Sequence, residues 1–387
     1  SRIFLQNLKR KNDPNKPGRY SLADLSASDI QSKEPTFTSR QTIIRLDKGV
    51  HQIKLQGNEV TSFNVNNGNN TFGIVKDLGV DPDASEWKKV LLPWTVRASN
   101  DDNQFKTINQ QLNQQKIQYS QRYRIRDNGN RDLGDIVNSP IVAVGEYLAT
   151  SANDGMVHIF KQSGGDKRSY NLKLSYIPGT MPRQYFDNDT SALKDSTLAQ
   201  ELRTFAEKGY VGDRYGVDGG FVLREVERGG KKHVFMFGAM GFGGRGAYAL
   251  DLTKVDSNNP TAVSLFDVKN DNNNGNNGVK LGYTVGTPQI GKTHNGKYAA
   301  FLASGYATKD INSNDNTTAL YVYDLENNNG TPIAKIEVKD GKGGLSSPTL
   351  VDKDLDGTVD IAYAGDRGGN MYRFDLSGNN PTKWSAR

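Results

Sequence analysis

Four stretches of the chain repeat one alternation of apolar and polar runs. The first leads from Asn138-Ser139-Pro140-Ile141-Val142 through Ala149-Thr150-Ser151-Ala152-Asn153-Asp154-Gly155 to Met156-Val157-His158-Ile159-Phe160. The second joins Gly219-Gly220-Phe221-Val222-Leu223, His233-Val234-Phe235-Met236-Phe237-Gly238 and Gly246-Ala247-Tyr248-Ala249-Leu250-Asp251. The third joins Gly286-Thr287-Pro288-Gln289-Ile290, Ala299-Ala300-Phe301-Leu302-Ala303-Ser304-Gly305 and Ala319-Leu320-Tyr321-Val322-Tyr323-Asp324. The fourth joins Ser347-Pro348-Thr349-Leu350-Val351, Ile361-Ala362-Tyr363-Ala364-Gly365 and Gly369-Asn370-Met371-Tyr372-Arg373-Phe374-Asp375.

Each unit reads as a strand, a turn, an apolar strand ending in a small residue, a second turn and an alternating strand. Consecutive apolar positions in the middle strand fit burial on both sheet faces. Alternation in the third predicts a half-exposed strand near the rim. Repetition of this kind, with glycine where strands crowd together, predicts an all-β fold, a β-propeller built from antiparallel sheets. A stacked solenoid fits less well, because the units vary in length and carry long insertions. At about 50 residues per blade, the 387 residues would make roughly seven blades.

The reading is one domain over residues 1–387. Residues 1–130 would be divergent N-terminal blades and 131–387 the clear blade repeats. In the N-terminal part, Thr42–Leu46, Val50–Leu55 and Val60–Val65 are expected strands. Loop and short helical insertions are expected too, with Leu198, Leu202 and Phe205 at near-helical spacing predicting a helix between Ser191 and Lys208.

Residues 352–360, Asp352-Lys353-Asp354-Leu355-Asp356-Gly357-Thr358-Val359-Asp360, carry the clearest chemistry. Acidic residues at positions 1, 3, 5 and 9, with glycine at position 6, turn carboxylates toward one point. That is the pattern of an all-oxygen calcium site. An EF-hand is excluded: position 12 is Tyr363 rather than Glu, and both flanks read as strands. The expected ligands are the carboxylates of Asp352, Asp354 and Asp356, the backbone carbonyl of Thr358, and Asp360, read as bidentate.

Composition narrows the setting. The absence of cysteine rules out disulfides and thiolate metal sites. No run of about 18 apolar residues exists that would make a spanning helix. Ser1 is not an initiator methionine, so the chain is expected to be an excised or processed piece. Of the net charge of +6, residues 1–50 supply five, with ten Lys/Arg against five Asp/Glu. Lys9-Arg10-Lys11 is the densest basic cluster, and Pro14 and Pro17 nearby favour a solvated loop. Neither an aromatic-interleaved basic stripe nor zinc-finger spacing is present, so no nucleic acid partner is expected.

Leu133-Gly134-Asp135-Ile136-Val137-Asn138-Ser139-Pro140, Asn153 to His158, Gly243-Gly244-Arg245-Gly246 to Asp251, and Leu345 through the acidic loop to Asn370 occur in this order. Together they resemble the C-terminal domain of the PilY/PilC family, the tip-associated adhesins of bacterial type IV pili. The resemblance is strongest from about 123 to 376 and most specific at the Gly-Gly-Arg-Gly segment and the acidic loop. It implies a modified quinoprotein-like β-propeller, exported to the cell surface, outer membrane or pilus tip. It also implies bound Ca2+ on Asp352, Asp354, Asp356, Thr358 and Asp360, and roles in pilus biogenesis and retraction, twitching motility and host-cell adherence. The implied partners are type IV pilus subunits, major or minor pilins, and a host-cell receptor or glycan. Arg-Gly-Asp does not occur, so integrin binding receives no support. Family members tend to continue past the position of Trp384, so the resemblance leads one to expect a final blade that is missing or supplied elsewhere.

Enzyme readings are weaker. A quinoprotein dehydrogenase holds its cofactor in the central channel, whereas this acidic loop is expected at a blade rim, with no Cys pair to stack on a quinone. A glycan-hydrolysing propeller would need an assignable acid and nucleophile pair, and none stands out. Asn153-Asp154-Gly155 reads as a hydrogen-bonded turn. His51, His158, His233 and His294 show no metal-ligand spacing. The glycines of 238–246 read as close strand approach rather than a phosphate loop. Asp310–Asn314 and Asp271–Asn276 read as turns or loops.

Overall fold

The computed structural model describes residues 3–6, 8–10, 15–22, 24–33, 40–46, 49–56, 59–61, 133–165, 169–179, 183–187, 192–196, 215–270, 278–306, 317–326 and 329–387. At the N-terminal end, β1 (Leu8–Arg10) pairs antiparallel with β2 (Tyr20–Leu22), so Lys9 and Arg10 belong to a strand rather than a loop. A short helix α1 (Ala27–Lys33) follows, with Ser26 accepting from Asp29 N–H at its start. The strands β3 (Gln41–Leu46) and β4 (Gly49–Gln52) form a hairpin, and β5 (Leu55–Gln56) pairs with β6 (Glu59–Val60).

The blades begin with β7 (Val142–Val144), β8 (Tyr147–Ser151), β9 (Val157–Ser163) and β10 (Ser169–Ile177), an antiparallel meander. Its outer edge is extended by the earlier hairpin. β3 runs parallel to β10, giving the order β4-β3-β10-β9-β8-β7. Next come β11 (Arg183–Asp187) and β12 (Ala192–Ser196), paired antiparallel. Ala192–Ser196 was expected to open a helix and is a strand instead, because pairing with β11 satisfies its backbone groups. The apolar spacing behind that expectation falls at 198–205, outside the described residues.

The second blade is β13 (Phe221–Arg228), β14 (Lys231–Ala239), β15 (Gly246–Asp251) and β16 (Ser264–Lys269). The third is β17 (Gln289–Lys292), β18 (Tyr298–Ala303), β19 (Ala319–Asp324) and β20 (Ala334–Glu337). The fourth is β21 (Thr349–Val351), β22 (Ile361–Gly365), β23 (Met371–Asp375) and β24 (Ser385–Ala386). Four such blades are present among the described residues.

One correction concerns the third strand of the two middle units; in the fourth blade β23 is half exposed, as expected. β15 and β19 are buried at all six positions, not half exposed. Neighbouring blades cover both of their faces, and the alternation expected of the rim appears in the fourth strand instead, with Ala334 and Ile336 buried and Lys335 and Glu337 exposed.

Hydrophobic cores lie between neighbouring blades. Met236, Tyr248 and Leu250 of the second pack with Ile159, Leu174 and Tyr176 of the first and Ile43 and Ile44 of the hairpin. Phe237 and Phe266 pack with Tyr321 and Tyr323 of the third. Phe301 and Val322 pack with Ala362 and Phe374 of the fourth, where Trp384 is buried as well. First strands sit side by side in chain order, β7 by β13, β13 by β17 and β17 by β21. Turns between first and second strands therefore share one face of the stack, and turns between second and third strands share the opposite face.

The Gly-Gly-Arg-Gly turn lies on the latter face. A Cβ on Gly243 would fall 1.7 Å from the Gly216 carbonyl oxygen, and Gly238 lies under the Tyr248 ring. Arg245 is buried and donates to the Leu281 carbonyl. Close approach, not phosphate binding, explains these glycines.

Candidate metal centre

The acidic loop is the turn between β21 and β22, on the face opposite the Gly-Gly-Arg-Gly turn. Asp360 N–H donates to the Val351 carbonyl at 2.9 Å and closes the hairpin. Inside it the chain bends through Leu355 at φ 60° and Gly357 at φ 89°. Nothing lies within 4 Å of a Cβ placed on Gly357, so backbone conformation rather than crowding calls for glycine there.

Each carboxylate has a distinct place. Asp352 accepts from Asp356 N–H at 3.2 Å and Gly357 N–H at 2.8 Å, which folds the loop over its own first residue. Asp356 accepts from the Thr358 N–H at 2.8 Å and hydroxyl at 2.6 Å, and these bonds hold its carboxyl below the ordinary range. Asp354 is exposed, and its carboxyl is pushed up by desolvation within the loop and by the charges of Asp356 and Asp360. One oxygen from each of Asp352, Asp354 and Asp356 lies within 4.8 Å of the other two.

Asp360 faces elsewhere. It is 8% exposed, accepting from His294 Nε2 at 2.7 Å and Lys353 N–H at 2.6 Å. Against the desolvation it suffers, those donors keep its carboxyl low. The loop thus gathers three of the expected carboxylates, while the Thr358 hydroxyl turns to Asp356 and Asp360 bridges the neighbouring blade's His294 and the loop's own Lys353 N–H. The donor set suits calcium: hard, anionic oxygens on a bendable loop, three of them already converging.

Three histidines proved to be paired with aspartates, which spacing did not reveal. His158 Nε2 meets Asp154 at 2.9 Å and its Nδ1 meets Ser175 Oγ at 2.8 Å. That is the residue order of a nucleophilic triad. Ser175 and His158 have no exposed surface, however, and Asp154 also accepts from Gly134 and Met156 N–H groups. The chain is a structural clasp on the first blade. His233 Nδ1 meets Asp251 at 2.8 Å, with its ring stacked on Phe235. Residues 271–276 and 310–314 lie outside the described residues.

Comparison with known proteins agrees with this architecture. The family model of the PilY1 beta-propeller domain matches residues 133–386. The type IV pilus biogenesis factor PilY1 of Pseudomonas aeruginosa UCBPP-PA14 is 33% identical over 315 residues, covering 75% of this chain and 24% of that protein. A PilY1 homolog of Xylella fastidiosa is 30% identical over 251 residues, covering 62% of this chain and 14% of that protein. The chain therefore spans a quarter or less of these relatives. The crystal structure of the P. aeruginosa PilY1 C-terminal domain aligns with a TM-score of 0.42 at 27% identity, covering 62% of this chain and 44% of that one. With two thirds of its length matched by the family model and inter-blade cores to carry the fold, the chain belongs to the PilY1 β-propeller domain family.

Proposed function

We propose that this domain is a non-enzymatic, calcium-binding module of a type IV pilus-associated surface protein. It acts in pilus biogenesis and retraction control, twitching motility and host-cell adherence. The carrying observation is the convergence of Asp352, Asp354 and Asp356 on one exposed hairpin of a PilY1-family blade. Asp352, Asp354, Asp356, the Thr358 carbonyl and Asp360 would hold the cation. When bound, calcium supplies the positive charge that offsets their mutual repulsion. The loop residues do the rest: Asp352 folds the turn, Thr358 orients Asp356, and Asp360 ties the loop to its neighbour.

Few charged ligands on a short exposed loop place the dissociation constant at about 10⁻⁵ to 10⁻³ M, within reach of external calcium. The partners are pilus subunits, and a host receptor or glycan at the cell surface or pilus tip. Among the described residues no helix is long and apolar enough to cross a membrane. Calorimetric titration of the purified chain with calcium, followed by pull-down of pilins and host glycans with and without the ion, tests this reading. Heats at the level of dilution would overturn it, and turnover of a glycan panel would favour an enzyme.

A further inference from the structure

The two halves of the acidic loop live in different surroundings. Lys353 to Gly357 face solvent, whereas Val359 and Asp360 are buried. What buries them is the turn between β17 and β18 of the third blade. Val359 N–H donates to the Lys292 carbonyl at 2.8 Å. The Val359 side chain lies over Gly291, where a Cβ would come within 2.5 Å of Val359 Cγ2. His294, from the same turn, reaches Asp360 Oδ1 at 2.7 Å and lies 3.3 Å from Thr358 Oγ1.

That turn is itself well held. Thr293 N–H donates to the Lys297 carbonyl and Gly296 N–H to the Thr293 carbonyl, both at 2.9 Å. Arg228 of the second blade donates to the Gly296 carbonyl and pairs with Glu326. His294 is therefore presented from a fixed support.

Asp360 in turn links the loop's exit to its entry. Its Oδ2 accepts from the N–H of Lys353, the residue between Asp352 and Asp354. A hydrogen bond from the third blade thus reaches the converging carboxylates through one side chain and one peptide group. We infer that His294 is a positioning residue of the cation site, so that the site is built across two blades. This rests on the calcium reading above. Ligand carboxylates are commonly oriented by such donors, whose loss costs metal affinity. Coupling is reciprocal: if His294 tightens the loop around calcium, calcium tightens the contact between the third and fourth blades.

The test is calcium calorimetry on the whole chain at one fixed pH, comparing the parent with His294→Ala and His294→Gln. A glutamine amide can donate from about where Nε2 does. Affinity should fall about tenfold in His294→Ala and stay within about threefold in His294→Gln. Parent-like or tighter binding in His294→Ala overturns the inference alone; no binding by the parent overturns it together with the calcium reading. Should His294→Ala not fold, the parent still decides. The imidazole resonances of His294 should move on adding calcium and stay still in Asp354→Ala, and unmoved resonances in a calcium-binding parent overturn the inference.

Discussion

Two acidic turns, on opposite faces of the blade stack, put the same residue types to different uses. In the first blade, Asp154 is 2% exposed and its oxygens face three donors, His158 Nε2 and the N–H groups of Gly134 and Met156. In the fourth, Asp352 and Asp356 also accept loop donors, yet one oxygen from each of Asp352, Asp354 and Asp356 lies within 4.8 Å of the other two. A lone buried aspartate among donors is a structural acceptor. Exposed aspartates that the same kind of bonds fold toward one another keep their charges together at the surface, where a cation would offset the repulsion. Burial and the nearness of further carboxylates separate the two.

The comparison is broken most severely at its buried end. Asp154→Ala strands three donors without solvent, so stability should fall by at least about 3 kcal/mol, and added calcium should not restore it. Urea denaturation measures this; a loss under about 1 kcal/mol would show that the donors find other partners. At the exposed end, the parent should gain about 2.7 kcal/mol from calcium at 100 times its dissociation constant. Asp352→Ala combined with Asp360→Ala should lose that gain and its calorimetric heat while remaining folded, since the apolar inter-blade cores are left intact.

A third aspartate sharpens the contrast through pH. Asp267 accepts from Tyr176 Oη at 2.5 Å and Gly179 N–H at 2.8 Å, with Arg45 at 3.7 Å. Burial nonetheless pushes its carboxyl above the ordinary value, with Arg45, Tyr176 and Gly179 opposing. The folded chain then holds this proton more tightly than the unfolded chain does. The resulting stability is complete below the ordinary carboxylate value, near pH 4, and is lost as pH rises through the raised one. Asp267→Asn should remove that segment of the pH–stability curve; an unchanged slope would place it in another group.

The smallest effect concerns the loop backbone. Leu355 is 87% exposed and holds φ 60°. Asparagine tolerates that conformation better, so Leu355→Asn should add roughly 0.5 kcal/mol of stability with little change in calcium affinity. Thermal melts without calcium would show it, and a lower midpoint would mean that the leucine makes contacts worth keeping.

The sequence made the acidic loop legible because its signal is local: nine consecutive residues carry both the ligands and the bend. The first three strands of each blade were legible for the same reason, through apolar runs such as Ala299–Ala303. The fourth strands were not. Ser264–Lys269 follows β15 only after two short 3-10 turns at Leu252–Asp256 and Pro260–Val263, and Ala334–Glu337 has only four residues. His294 and Asp360 lie on different blades, and no spacing rule joins residues that meet only once blades pack. Nor does local pattern show that Gln41–Leu46 would run parallel to β10, because strand propensity does not name a partner.

That parallel strand has a practical consequence for anyone trimming the chain. β3 covers the backbone edge of Leu174–Ile177, a stretch in which Leu174, Tyr176 and Ile177 are fully buried. The family match begins at residue 133, which invites a fragment starting there. Such a fragment would leave β10 as an open, apolar edge, and open edges recruit other strands. It should aggregate where the longer chain stays dispersed, and adding back a peptide of residues 40–53 should suppress the aggregation.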